Sequence, residues 1–219
     1  MKSLKDIYFD LVKEHHSQWS SDTLISESAL TESTDVDVFC DKGTYHTYID
    51  FYARQLSRFR NKVTMLEIGI MTGGSLLLWS KFFKEYDLTA IEYSPSFYGM
   101  GRLFHPELMN NPNIDLYFST DSTDPTFASG FDNELFDVII DDGSHDPDMQ
   151  LSTFRNYFLK TKVGGTYYIE DVRGEPEVYF LETEIVAWLK ARHINAGVYV
   201  YRGDTVRRVD DIIIFIERV

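Results

Sequence analysis

The chain has one cysteine in 219 residues, and that scarcity sets the first limits. Cys40 alone excludes an intrachain disulfide and a cysteine-based zinc centre, and it reads as a small apolar residue rather than a nucleophile. Long apolar runs are missing too, since none reaches the ~20 residues needed to span a bilayer. Met1-Lys2-Ser3-Leu4-Lys5-Asp6 lacks the apolar core of a secretory signal. A cytoplasmic protein with no membrane partner is the expectation. Basic charge is scarce as well: 21 Lys and Arg face 35 Asp and Glu, a net charge of −14. Such a chain repels polyanions, and its basic cluster, Arg202 to Arg208, is interrupted by Asp204. Nucleic acid is therefore not an expected partner. Internal repeats, low-complexity tracts and the G-x-G-x-x-G dinucleotide fingerprint are all absent.

What remains is an ordinary globular composition, 43% hydrophobic and 26% charged, at a length that fits one α/β domain. Residues 1–40 read as an extension. Leu4, Ile7, Tyr8, Leu11 and Val12 recur at helical spacing, as a packing helix or an oligomer contact would, and homo-oligomerisation is an expectation of this kind. Residues 20–37 are a polar loop or lid. Residues 41–219 read as the main domain. Helical spacing over 48–59 leads into strands at 63–68, 88–92, 114–118 and 136–140, with helices at 75–83, after 140 and at 178–193. Val163-Gly164-Gly165 reads as a turn into a fifth strand, and 198–201 and 212–216 as a closing antiparallel pair. Arg202-Gly203-Asp204 falls between those two strands and reads as a turn. Strands alternating with helices predict a doubly wound, Rossmann-like, seven-stranded, mostly parallel sheet with a terminal antiparallel hairpin, which resembles the class I methyltransferase topology.

Acidic residues recur where those strands end, at the edge where open α/β sheets bind ligands. The first strand runs Met65-Leu66-Glu67-Ile68-Gly69 into a turn with Gly73 and Gly74. Its glycines suit close approach of a ligand to the backbone, with a purely structural turn as the competing explanation, and Glu67 suits a cationic group such as an amino-acid ammonium. Glu92, roughly 20 residues on, is placed for ribose hydroxyls, with Tyr93, Phe97 and Tyr98 beside it as stacking candidates. Asp121, with Ser122, could accept from an adenine amino group. Together these residues describe a pocket for adenosine carrying an amino acid, S-adenosylmethionine. Two further clusters, Asp141-Asp142-Gly143-Ser144-His145 and Glu170-Asp171, follow the fourth and fifth strands. Asp142, Glu170 and Asp171 suit a hard divalent cation, magnesium, and His145 beside them suits a proton acceptor. Asp141 is assigned to the methionine end of the cofactor or to support of the metal site. Helix capping and loop solvation are the competing explanations for the acidic pairs, and capping is the competing one for His145. His15, His16, His105 and His193 read as surface or packing residues.

The stretch 41–171 resembles a family of metal-dependent sugar O-methyltransferases of natural-product biosynthesis, of the mycinamicin, demethylmacrocin and novobiocin type, related to the cephalosporin hydroxylase family. The matching pieces are Asp41-Lys42-Gly43 with Tyr45-His46, Leu66-Glu67-Ile68-Gly69 with Gly73-Gly74-Ser75, Asp141 to His145, and Gly164-Gly165 ahead of Ile169-Glu170-Asp171. The resemblance implies transfer of a methyl group from S-adenosylmethionine to a hydroxyl of a glycoside or other small polyhydroxylated acceptor. It supports the same three metal positions and brings Asp41 to His46 near the cofactor and the substrate entrance, with His46 a lesser catalytic candidate. An iron-dependent hydroxylase of the related branch and a non-catalytic binding module are the alternatives.

Overall fold

A computed structural model of the chain describes residues 2–17, 40–43, 45–95, 106–206 and 208–219. The loop or lid expected at 20–37, Phe97, Tyr98 and His105 lie outside the described residues, as do the side chains of His15 and His16.

The apolar runs become strands. β1 (Lys62–Ile68), β2 (Glu85–Ile91), β3 (Ile114–Tyr117), β4 (Phe136–Asp141), β5 (Thr161–Ile169), β6 (Ala196–Arg202) and β7 (Ile212–Arg218) form one seven-stranded sheet in the order β3-β2-β1-β4-β5-β7-β6. β7 alone runs against its neighbours, antiparallel to both β5 and β6. The doubly wound sheet with its antiparallel hairpin is the expected architecture. The helices among the described residues are α1 (Leu4–Ser17), α2 (Tyr48–Gln55), α3 (Gly74–Phe82), α4 (Pro106–Met109), α5 (Pro125–Ala128), α6 (Pro147–Tyr157) and α7 (Glu175–Ala191). α4 and α5 are single turns without an apolar period to announce them.

Alternation along the strands divides the core. Val63, Met65, Val138, Ile140 and Tyr168 pack against α1, α2 and α3, while Leu66, Ile68, Ile139, Tyr167 and Ile169 pack against α6 and α7. Burying each such side chain contributes about 1.5–3 kcal/mol. The amphipathic face of α1 is part of this core: Leu4, Tyr8, Leu11 and Val12 are buried, and the Tyr8 hydroxyl donates to the Cys40 carbonyl at 2.7 Å.

Val163-Gly164-Gly165 is not a turn before β5 but lies inside it. The pairing with β4 jumps from Phe136–Thr161 to Val138–Thr166, so the glycines form a bulge. Gly164 takes a φ of +83°, and a Cβ on Gly165 would lie 2.6 Å from the Asp137 carbonyl. A bulge absorbs extra residues on one strand without ending the ladder.

The ladder also continues past the strand ends. Backbone N–H groups of Glu92, Gly69, Asp142 and Glu170 donate to the carbonyls of Tyr117, Ile91, Ile68 and Asp141, at 2.9, 2.8, 2.8 and 2.9 Å. The first residue after each of these strands is thereby tied to the end of the neighbouring one.

Candidate active site and metal centre

Those ends border a cleft of about 680 Å³, within the ordinary range for a small-molecule site. Gly69, Glu92, Tyr93, Asp121, Ser122, Asp141, Asp142 and His145 line it, whereas Glu67, Gly73, Glu170 and Asp171 do not. Glu67 shares the strand parity of Val63 and Met65, so it turns away from the cleft into the layer of α3. There it is fully buried and accepts from the Trp79 indole at 3.1 Å. Its Oε1 lies 3.7 Å from the Lys42 ammonium. Burial pushes its carboxyl up to about 7, against the pull of Lys42. The expectation that Glu67 meets a cationic ligand is corrected: its cation is Lys42.

The glycine reading changes too. Gly69 has a φ of +79°, and a Cβ there would lie 2.0 Å from the Asp142 carbonyl. Its missing side chain makes room for the end of β4, while its backbone lines the cleft. Gly73, at φ +81°, starts α3, and it is Gly74 that lines the cleft.

Glu92 accepts backbone N–H bonds from Ile70 (3.0 Å), Met71 (3.1 Å) and Ser94 (2.9 Å). A carboxylate has about four acceptor sites, so most of its capacity holds the turn, with about one bond left. Asp121 uses Oδ1 for the Thr123 N–H and hydroxyl, and Ser122 pairs with Thr153. Tyr93 is exposed at the rim. Asp141 is buried, accepts from the Tyr167 hydroxyl at 3.2 Å, and is pushed up to about 7 by burial. Gln150 also lines the cleft. Its amide nitrogen donates to the Glu170 carbonyl at 2.9 Å, and its buried Oε1 has no protein partner.

At the β4 and β5 end the structure gathers Asp142, His145 and Asp171, with ligand atoms all within 4.8 Å of one another. His145 spans the two carboxylates, Nε2 at 3.2 Å from Asp142 Oδ1 and Nδ1 at 3.6 Å from Asp171 Oδ2. Capping of α6 falls to Asp146, whose side chain accepts from Asp148 and Met149, so neither Asp142 nor His145 has that duty. Asp171 also accepts from the Tyr48 hydroxyl at 2.8 Å and faces His46 at 3.4 Å. His46 is buried and stacked on Tyr48, with its other ring nitrogen 3.5 Å from Asp211.

Glu170 departs from the expected carboxylate trio. Its Oε2 lies 2.6 Å from Lys42 Nζ and its Oε1 accepts from the Tyr52 hydroxyl. Lys42 also reaches Asp142 Oδ2 at 2.7 Å. Strand parity points Glu170 toward α2 with Tyr168. The left-handed backbone of Asp171, φ 56°, then breaks the alternation, so that consecutive carboxylates both reach tyrosines of α2. Lys42 is the participant that sequence reasoning missed. Asp-Lys-Gly read locally is a turn, which it is, and nothing in that local pattern signals more.

The electrostatics are tightly balanced. Burial alone would raise Asp142, but Lys42 and His145 hold it well below the usual carboxylate range. Asp171 is pushed up to about 6 by burial and Asp142. For His145, burial is outweighed by the hydrogen bond and charge of Asp142 and by Asp171, and its pKa rises to about 9. Backbone strain collects at the same edge: Met71, Ser119, His145 and Asp171 are non-glycine residues with φ between 42° and 56°. Such conformations persist where the surroundings over-determine them and cluster at functional sites.

No family profile matches the chain. Among curated proteins it is 30% identical over 138 residues to the 8-demethyl-8-(2-methoxy-alpha-L-rhamnosyl)-tetracenomycin-C 3'-O-methyltransferase of Streptomyces olivaceus, covering 59% of this chain and 33% of that one. It is 29% identical over 144 residues to the mycinamicin VI 2''-O-methyltransferase of Micromonospora griseorubida, covering 59% and 32%. Among solved structures, the methyltransferase MycE of the mycinamycin pathway, in complex with Mg, SAH and mycinamycin VI, superposes with a TM-score of 0.60 at 23% identity, over 82% of this chain and 52% of that one. The chain thus spans about a third of the length of these curated relatives. It carries the class I methyltransferase fold and is homologous, over some 59% of its length, to the sugar O-methyltransferases of natural-product tailoring.

Proposed function

We propose that the chain transfers a methyl group from S-adenosylmethionine to a hydroxyl of a glycoside or similar polyhydroxylated small molecule, with magnesium held at Asp142 and Asp171. The observation that carries this reading is the convergence of Asp142, His145 and Asp171 within 4.8 Å beside the cleft. Two carboxylates leave positions for water and for acceptor oxygens, which suits magnesium. The donor fits the cleft in volume and chemistry. The carboxylate of Asp141 and the unpartnered Gln150 Oε1 would receive its N–H groups. Glu92 has one bond left for a ribose hydroxyl, and Asp121 keeps its second oxygen for the adenine end. The curated relatives are named for methylation of rhamnosyl and mycinamicin hydroxyls, and the MycE complexes hold Mg and SAH.

A sugar hydroxyl is a weak nucleophile. A divalent cation, when bound, stabilises the developing alkoxide and balances the two carboxylates. His145 is the group placed to take the proton. While Asp142 and Asp171 are unbalanced they hold its ring charged, and it accepts a proton only when their charge is offset. His46, Tyr48 and Tyr52 keep Asp171 and Glu170 in position. The same two-carboxylate, one-histidine set suits ferrous iron, and oxygen uptake by iron-loaded protein would identify that chemistry.

Calorimetry with S-adenosylmethionine, followed by methyl-transfer assays on a panel of glycosides, tests the proposal. His145→Gln is expected to bind the donor as the parent does and to lose at least ~100-fold in kcat. Failure of the parent to bind the donor would overturn the reading, and full activity in excess chelator would remove the metal from it.

A further inference from the structure

Lys42 is the one lysine or arginine buried among the site's carboxylates in the described residues. Its side chain is 1% exposed. Its ammonium touches Asp142 Oδ2 at 2.7 Å and Glu170 Oε2 at 2.6 Å and faces Glu67 Oε1 at 3.7 Å. Asp142 is therefore shared: one oxygen meets Lys42 and the other meets His145 at 3.2 Å. Lys42 is also fenced in. It sits in the turn Asp41–Gly43, whose Asp41 carbonyl accepts from the backbone N–H groups of Tyr45 and His46 at 3.0 and 2.9 Å. The preceding Cys40 carbonyl is held by Tyr8. A Cβ on the following Gly43 would lie 2.5 Å from Ile49 and 2.7 Å from Tyr8. A surface lysine swings away when a rival cation arrives, but this one has no such freedom.

We propose that Lys42 is a resident counter-ion that keeps the carboxylate cluster assembled without metal by holding Asp142 and Glu170, and that it opposes the divalent cation at Asp142, so that the metal loads weakly. The inference rests on the metal reading above and adds to it a positioning residue. Two consequences follow from charge alone. Removing the ammonium removes a repulsion a few ångströms from the incoming dication, so metal binds more tightly. It also leaves buried carboxylates unpaired, so the metal-free protein loses stability. A lysine with a purely structural role gives the second effect and not the first.

The test is Mn²⁺ binding, read as free-ion electron paramagnetic resonance, by the chelator-stripped full chain and its variants. Lys42→Met is expected to bind Mn²⁺ at least ~10-fold more tightly than the parent, and Lys42→Arg within ~3-fold of it. The thermal midpoint of metal-free Lys42→Met should fall and be restored by Mn²⁺ by more than the parent gains. Should Lys42→Met not fold without metal, Glu170→Gln is compared with the double variant Lys42→Met/Glu170→Gln, which loses one charge of each sign. The double variant is then expected to bind at least ~10-fold more tightly than Glu170→Gln. Equal or weaker binding on removal of Lys42, in either background, overturns the inference while the metal reading stands. Absence of Mn²⁺ binding in the parent and every variant overturns the metal reading itself.

Discussion

At Gly69 the carbonyl of Asp142 occupies the place of a methyl group, 2.0 Å from where a Cβ would stand. Gly69→Ala must therefore move β1 away from the end of β4 and also accept a left-handed backbone. We expect it to destabilise the protein by roughly 3 kcal/mol or more, read as a urea midpoint, and to weaken divalent binding because Asp142 is displaced. Sequence reasoning picked the right glycine for another reason. A strand followed by a glycine turn says that something comes close, but not whether it is a ligand or the next strand. Glu67 shares a face with residues 63 and 65, and that face belongs to α3, so its place just before the glycine turn does not bring it to the cleft. Asp142, His145 and Asp171 were legible because acidic residues at two adjacent strand ends converge whatever the loop details. The pairing of Glu170 with Lys42 was not, because it joins segments 128 residues apart.

Among the elements, the strands carry the site and the bonds beyond their ends hold it. Backbone bonds link Glu92, Gly69, Asp142 and Glu170 each to a neighbouring strand. Those four amides belong to loops by position and to the ladder by bonding. In hydrogen–deuterium exchange they should be protected like mid-strand amides of β1 and β4, and above the amides of Ser144 and Asp146 in the adjoining loop. Fast exchange at Asp142 and Glu170 would show that the edge opens independently of the sheet. The strands were legible from apolar runs bounded by turn residues. The β5 bulge was not, since Val-Gly-Gly reads locally as a turn and only pairing with β4 keeps it in the ladder. α4 and α5 are too short to show a period.

For the whole molecule, charge balance makes stability depend on pH. His145 is raised in the folded state from 6.5 to about 9, so its contribution is complete below pH 6.5 and disappears as pH rises through 9. Asp171, raised from 3.8 to about 6, and Asp141, raised to about 7, act in the same direction at lower pH. Metal-free protein should therefore lose stability from pH 6 to pH 9, with His145 accounting for on the order of 2–3 kcal/mol. Urea midpoints across that range check this: His145→Gln should flatten the limb above pH 7, and a rise in stability over the same range would contradict the assigned environment. The doubly wound sheet and its closing hairpin could be read from the alternation of strands and helices. The chemistry of the acceptor could not, because acidic residues at strand ends suit many hydroxyl-bearing small molecules alike.

One feature of the sheet concerns how the molecule comes into being. β7 lies inside the sheet, between β5 and β6, and the Val172 N–H just beyond the Glu170-Asp171 pair bonds to the Ile212 carbonyl at 3.1 Å. During synthesis, β1 to β4 can assemble as they emerge from the ribosome. β5 keeps one flank bare until the segment some forty residues downstream of it arrives. The half of the proposed metal site that follows β5 is thus among the last parts of the sheet to be locked in place, and a nascent chain halted before Ile212 would hold Asp142 in its final setting while Asp171 still lacked its own.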